Sequence, residues 1–416
     1  MTCLRKQLQL AVLALAIAGT AAWAQGGHLA AIVDTINNRP EAFYIDTSNH
    51  VHVVRFIAGS WINFDITGKL KSPNAAAGSP LSSVVDTIDH KVTTYYIAAD
   101  NNIHQLAFVA PNWTDTEVTS LAGAPQPAPK SSLSALVDPV DNLVAVFFIG
   151  GDQHIHELGF DPVMLDWFDT DLTATARGVT VNPALRNPLV VNSIINGGNG
   201  LGPAVNLAVF YVGADSMLHT MGFDGSDFVD ANTSAVTGVI IPLSAAGDFN
   251  DAHSATQEYM WSFIDLYQDV NLMNIYTYAK TSDPGPYWAD LTVDSRGPKA
   301  ALGSSLAFLQ DANVTPNLGE FYYITDDNHI HAITRPFDPD LSFRVADADM
   351  TPAGPGAAVG SSLASMVDTT RNMNDVFYIS MDQHVHLLSI TPGVAPSAGH
   401  LPTDRDITPT GPPALP

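Results

Sequence analysis

The chain has 416 residues, a single cysteine, and 42 acidic against 17 basic side chains, for a net charge of −25 at pH 7. A surface so acidic repels polyanions, which argues against nucleic acid and anionic membrane as partners. One thiol can build neither a disulfide framework nor a thiolate metal site.

In chain order, residues 1–24 read as a signal peptide. Arg5 and Lys6 precede an apolar run over 10–18, and small residues end at Ala22-Trp23-Ala24, with cleavage expected before Gln25. A retained anchor is the competing reading, but the run falls short of the roughly 20 apolar residues that a span needs. Cys3 leaves with the leader, as do Arg5 and Lys6, so the mature chain carries 15 basic residues (17 less 2) against 42 acidic ones. A secreted or periplasmic location follows, with no membrane span expected in the remainder.

From residue 29 onward the chain repeats. The stretch "FYIDTSNHVHVV" at 43 recurs as "YYIAADNNIHQL" at 95, "FFIGGDQHIHEL" at 147 and "FYVGADSMLHTM" at 210, then as "YYITDDNHIHAI" at 322 and "FYISMDQHVHLL" at 377. Ten of the 14 histidines fall in this motif, so the His-x-His pair is a property of the repeat. Its second member is His52, His104, His156, His219, His331 or His386; "MNIYTY" places Tyr276 at the seventh. Upstream of the motif lies "LAAIVDT", "LSSVVDT", "LSALVDP", "LAFLQDA" or "LASMVDT", and downstream an aromatic and a polar strand closing on Thr, such as "WINFDIT" or "WFDTDLT".

Each unit therefore predicts four short strands, the middle two joined by a tight turn. Seven such units spaced by 52 to 63 residues predict an all-β fold, a seven-bladed β-propeller of four-stranded antiparallel blades. The expected blades span 29–80, 81–132, 133–188, 189–244, 245–305, 306–362 and 363–410, joined by Ala/Gly/Pro/Ser loops. Helical solenoids lack support, since no unit shows a 3.6-residue period, and a β-helix needs repeats about half as long. How the ring closes is not evident, because the first strand of the first unit begins at Leu29 and none is left over to cross between the ends.

A repeated imidazole is first of all architecture. A metal site needs ligands converging at about 2.0–2.2 Å, whereas the repeat distributes equivalent histidines around a ring, and Asn102, Met217 and Tyr276 replace them in some copies. They are expected between blades, bonded to backbone or carboxylate. The aspartates ending the first strands (Asp34, Asp86, Asp138, Asp311, Asp368) are expected to accept backbone N–H bonds in the turn that follows. The residues mark no metal site, cofactor or catalytic set: there is no nucleophile elbow and no pair of carboxylates departing from the repeat. A non-enzyme is expected.

The unit resembles a blade of the fucose-specific lectins of fungal and bacterial type, through passages such as "AVFFIGGDQHIHELGF" running on to Trp167 and "AVFYVGADSMLHTMGFDGSDF". The resemblance implies a propeller holding sugar between adjacent blades, with an arginine and a glutamate on the hydroxyls and an aromatic on the apolar face. Glu157 matches the glutamate and Gln105 is its neutral counterpart. Phe56, Phe108, Phe160 and Phe223 match the first aromatic position, and Trp61, Trp113 and Trp167 lie near the second. The arginine would fall near Ala145 or Val146, where none stands.

The expected ligand-binding residues are Glu157, His156, Trp167 and Phe160 at the third repeat, and Gln105, His104 and Trp113 at the second. A ring gives sugar C–H groups an apolar platform, while carboxylate, amide and imidazole supply directional bonds. The expected partner is a glycan or glycoconjugate. The alternative is an extracytoplasmic protein-interaction scaffold, suggested by the enlarged fourth and fifth repeats.

Overall fold

The computed structural model describes residues 28–86, 89–137, 143–161, 163–184, 189–195, 205–223, 227–232, 242–246, 258–265, 267–276, 287–311, 318–336, 345–352, 354–392 and 402–416. The leader expected over 1–24 lies outside them, as do parts of the enlarged repeats. Among the described residues no helix is long and apolar enough to cross a membrane.

These residues form seven four-stranded antiparallel sheets, each a meander in sequence order. Blade 1 comprises β1 (Leu29–Asp34), β2 (Arg39–Ile45), β3 (Val51–Ile57) and β4 (Ser60–Asp65). Blade 2 comprises β5 (Leu81–Asp86), β6 (Lys91–Ile97), β7 (Ile103–Val109) and β8 (Asn112–Glu117). Blade 3 comprises β9 (Leu133–Val137), β10 (Val144–Ile149), β11 (Ile155–Asp161) and β12 (Asp166–Asp171). Blades 4 to 7 occupy 189–232, 242–290, 306–349 and 363–406. The first strand of every blade packs against the first strands of both neighbours, and that of blade 7 meets β1, so seven inner strands surround the axis.

The residue pattern explains the layering. The second strand is buried on both faces, as in Val144–Ile149, because each blade is sandwiched between two others. The fourth alternates exposed and half-buried residues, as the outer edge should. Apolar clusters run across the junctions: Phe43, Ile45 and Val53 of blade 1 pack with Tyr96, Leu106 and Phe108 of blade 2. Each blade thus turns one face to its predecessor and the other to its successor.

The closing Asp-x-Thr of the repeat has two tasks. Asp65, Asp171 and Asp290 cap the short helices α1 (Ile66–Leu70), α3 (Leu172–Thr175) and α4 (Leu291–Ser295), accepting N–H bonds from Gly68, Ala174 and Val293; Glu117 does the same for α2 (Val118–Ala122). The buried threonine two residues on accepts the first N–H of the third strand: Val51 N–H to Thr67 at 3.0 Å, Ile155 N–H to Thr173 at 2.8 Å, Val385 N–H to Thr408 at 2.9 Å. An edge donor that would otherwise be orphaned is satisfied in the same way in successive blades.

Ring closure has a specific answer. Between blades, a short linker bonds first to the blade it leaves and then to the one it enters: Ala75 N–H to Asn49 O (2.8 Å), then Ala76 N–H to Ile97 O (2.9 Å). The C-terminal residues do the same between blades 7 and 1, with Ala414 N–H on Gln383 O (2.7 Å), Leu415 N–H on Ile45 O (2.8 Å) and Thr47 N–H on Pro413 O (2.9 Å). Among the described residues no strand is exchanged between blades, and residues 413–415 serve as the seventh linker that closes the ring.

The fifth unit needs one correction. Phe263 pairs with Asn271 as Tyr44 pairs with His52, so Asn271, not Tyr276, stands at the histidine position. The apolar match "MNIYTY" is in the wrong register by five residues.

Candidate functional site

The second histidine of each pair lies on the blade face turned to the preceding blade, yet its polar partners belong to its own blade. His156 sets Nδ1 against Asp169 of β12 at 3.0 Å and Nε2 against Asp152 of the β10–β11 turn at 3.0 Å. His104 does so with Asp115 (3.0 Å) and Asp100 (3.1 Å), and His386 with Asp404 (3.0 Å) and Asp382 (3.4 Å). Phe148 and Tyr211 stack on His156 and His219. Burial works against the charged form of His104, but its bonds to Asp115 and Asp100 outweigh that and hold its pKa above the ordinary value. The first histidine bonds the aspartate that ends the fourth strand: His50 to Asp65, His154 to Asp171, His384 to Asp406. The incoming linker covers this edge, where Tyr96 donates to Pro73 O and Tyr378 to Pro355 O. The carboxylate bonding expected of these rings is present, made within a blade and not across two.

The first-strand aspartates behave as expected where described. Asp34 accepts the N–H of Ile36 and Asn37, Asp86 that of Asp89, and Asp368 that of Thr370. Asp138 and the side chain of Asp311 lie outside the described set.

The expected sugar residues are divided by strand alternation. Along β11, His156, Leu158 and Phe160 share one face and Glu157 takes the other. Phe160 pairs with Trp167, and their rings are 5.5 Å apart; these two and His156 face blade 2. Glu157 faces blade 4, where the rings of Phe223 and Phe228 lie 5.3 Å apart and tilted by 55°. Glu157 and Trp167 therefore border different junctions. In blade 2 likewise, His104 and Trp113 face blade 1 while Gln105 faces blade 3, its amide nitrogen Nε2 donating to the Tyr95 hydroxyl at 2.8 Å.

What the structure does assemble is a polar wall from one blade against an aromatic pair from the next. Between blades 2 and 3 the wall is Lys91, Thr93, Tyr95 and Gln105, opposite Phe160 and Trp167. Tyr95 meets Trp167 edge-on at 6.5 Å, and the Lys91 ammonium lies 5.7 Å from the centre of Phe160. Between blades 1 and 2, Glu41 and Arg55 pair across β2 and β3, and the Arg55 guanidinium lies 4.0 Å from the centre of Phe108 and 4.7 Å from that of Trp113. Between blades 7 and 1, Arg371, bonded to Asp375, lies over Phe56 and Trp61.

The blade 1–2 junction holds strained electrostatics. Glu41 is fully buried and Arg55 is 4% exposed; burial pushes the Glu41 carboxyl up to about 7, with Arg55 and Arg39 pulling the other way. Glu41 Oε2, Arg39 Nη2 and Arg55 Nη2 are buried without a hydrogen-bond partner, a concentration of unmet donors and acceptor between blades.

Sequence reasoning missed Arg55. The position across from Ala145 in the neighbouring strand is Gly159, and the matching positions in blade 1 are Glu41 and Arg55. Acid and arginine are both present there, the acid on the second strand and the arginine on the third. The available signal was an arginine and a glutamate in strands otherwise apolar, read together with their pairing register.

No protein-family model matches the chain. A search of curated proteins likewise finds no match. Among solved structures, the chain is similar to the BP39L lectin from Burkholderia pseudomallei, with a TM-score of 0.60 at 14% identity, covering 89% of this chain and 97% of that one. It is also similar to the SapL1 lectin in complex with alpha methyl fucoside (TM-score 0.50, 14% identity, 93% of this chain and 98% of that one). AofleA from Arthrobotrys oligospora matches with a TM-score of 0.50 at 12% identity over 81% of this chain and 92% of that one. The likeness expected from the repeat is thus found at the level of the fold, which this chain shares with lectin propellers.

Proposed function

We propose that the protein is a secreted, non-catalytic carbohydrate-binding protein whose glycan sits at the junctions between blades. The observation that carries this reading is the junction of blades 2 and 3, where the half-buried Gln105 and Lys91 face Phe160 and Trp167. The aromatic pair offers an apolar surface to sugar C–H groups, and the amide and ammonium offer directional donors and an acceptor to hydroxyls. Glu157 with Phe223 and Phe228 forms a second candidate between blades 3 and 4.

The test is a glycan array followed by titration of the best binder. Gln105→Ala and Lys91→Ala are expected to weaken the 2–3 junction at least tenfold. Glu157→Ala should remove a separate class of sites and leave that junction unchanged. Silence on all glycans, or affinity indifferent to every one of these changes, contradicts the proposal.

A protein partner is favoured by one feature, the turn after β11, where Val163, Met164 and Leu165 are 86%, 74% and 75% exposed. Val163→Ser with Leu165→Asn abolishes capture of a specific protein on that reading, and leaves glycan binding intact on the first.

A further inference from the structure

Blades 3 and 7 each draw three potential ligand atoms together, one from the turn aspartate, one from the second histidine and one from the aspartate that ends the fourth strand. In Asp152, His156 and Asp171, and again in Asp382, His386 and Asp406, these atoms lie within 4.8 Å of one another. In blade 1 the atoms so gathered belong to a different set, Asp46, His50 and His52.

The four carboxylates are oriented alike. Asp152 Oδ1 accepts the His154 N–H (3.1 Å) and Asp171 Oδ1 the Ala174 N–H (2.8 Å). Asp382 Oδ1 accepts the His384 N–H (2.9 Å) and Asp406 Oδ1 the Thr408 N–H (2.8 Å). Each thus spends one oxygen on the backbone and turns Oδ2 toward an imidazole, at 3.0 Å from His156 Nε2 for Asp152 and 3.4 Å from His386 Nε2 for Asp382. Asp171 and Asp406 keep Oδ2 on His154 and His384, both at 2.7 Å.

A third aspartate holds the other side of the ring, Asp169 on His156 Nδ1 and Asp404 on His386 Nδ1, each at 3.0 Å. That bond fixes the ring's orientation and directs Nε2 into the cluster. A carboxylate behind an imidazole whose far nitrogen meets further carboxylates is how proteins orient a histidine toward a metal. Carboxylates therefore stand on both sides of the ring, and the space at Nε2 is lined by their oxygens.

Blades 2 and 4 lack the first histidine and the closing aspartate of blades 3 and 7, having Asn102 and Glu117, and Met217 and Asn232, in their places. Blade 6 keeps His329 and Asp349, bonded at 2.7 Å, so those two residues alone do not draw the atoms together. Among the described residues, none of these three blades gathers such a trio.

We propose that blades 3 and 7 each bind a divalent ion of zinc type, through His156 Nε2 with Asp152 and Asp171, and through His386 Nε2 with Asp382 and Asp406. One nitrogen and two oxygens with water completing the shell suit zinc, and ligand distances of about 2.0–2.2 Å need only a small contraction of each cluster. The proposal does not depend on sugar binding.

The experiment is equilibrium dialysis of the chelator-treated full chain against excess zinc, with bound metal counted by mass spectrometry. Asp152→Asn with Asp171→Asn should lower bound zinc by one equivalent, and Asp382→Asn with Asp406→Asn by another. Asparagine keeps the Oδ1 acceptor for the backbone N–H, so turn and cap persist, as circular dichroism of the metal-free variants verifies. X-ray absorption on the zinc-loaded wild-type chain gives a second readout needing no variant: a shell of oxygens with one imidazole per ion. No uptake by the wild-type chain, uptake unchanged in both double variants, or a shell without imidazole would each overturn the assignment.

Discussion

Asn63→Asp should stabilise the protein, because blade 1 lacks a partner that its siblings have. Asn63 stands where the other described blades with this histidine carry Asp115, Asp169, Asp230, Asp347 and Asp404, each bonded to the second histidine through Nδ1. In blade 1, His52 Nδ1 and Asn63 Oδ1 are both buried without partners, although Asn63 Nδ2 does reach the Tyr44 hydroxyl at 2.8 Å. An aspartate would accept from both groups. Tyr211, Tyr323 and Tyr378 already donate to the corresponding aspartates, so the tyrosine is not abandoned. A hydrogen bond to a charged group contributes about 1.5–3 kcal/mol. Partial exposure of this edge reduces that to roughly 1–1.5 kcal/mol. For a chain of this length the unfolding entropy is about 0.8 kcal/mol/K, so Tm should rise by about 1–2 °C. Differential scanning calorimetry at about pH 6 measures it. An unchanged or lowered Tm at pH 6 would refute the reasoning that equates the blades.

Three further outcomes are expected. Glu41, with a folded pKa of about 7 against 4.5 for the free side chain, binds its proton more tightly in the folded state, so it erodes stability as pH rises between those values. Glu41→Gln removes that slope, and relative to wild type it should gain on the order of 3 kcal/mol from about pH 4.5 to 7.5; parallel denaturation curves would contradict this. His104 has a raised pKa, so its contribution is complete below about 6.5 and is lost as pH climbs through the raised value. His104→Gln should therefore destabilise more at about pH 5 than at pH 9, and the reverse order would count against the paired-aspartate clip. Deleting residues 412–416 removes the three backbone bonds that join blades 7 and 1, at about 1 kcal/mol each. Hydrogen exchange should then show the Thr47 amide deprotected while blades 3 and 4 keep their protection.

The fold was legible because it is written seven times. Strand length, turn chemistry and linker composition recur with the histidine motif, and each supports the same unit. Blade 5 shows the limit: where the motif has decayed to Asp269-Val270-Asn271, only pairing with β-strand neighbours fixes the register, and apolar similarity pointed to Tyr276. The candidate site was legible in its residue types but not in its grouping. Alternation in β11 already separates Glu157 from His156, yet which neighbouring blade each face meets is a property of the ring and cannot be read within one repeat. Arg55 escaped notice for the same reason. It lies on the third strand, opposite a glutamate on the second, and acquires its meaning only beside Phe108 and Trp113 of the next blade.

The most direct measurement is a crystal structure of the protein with the sugar that binds it best. The account places the sugar ring against Phe160 and Trp167 of blade 3, with hydroxyls on Gln105 and Lys91 of blade 2. Density for the sugar in the central channel or on an outer strand, with that junction vacant, would contradict it.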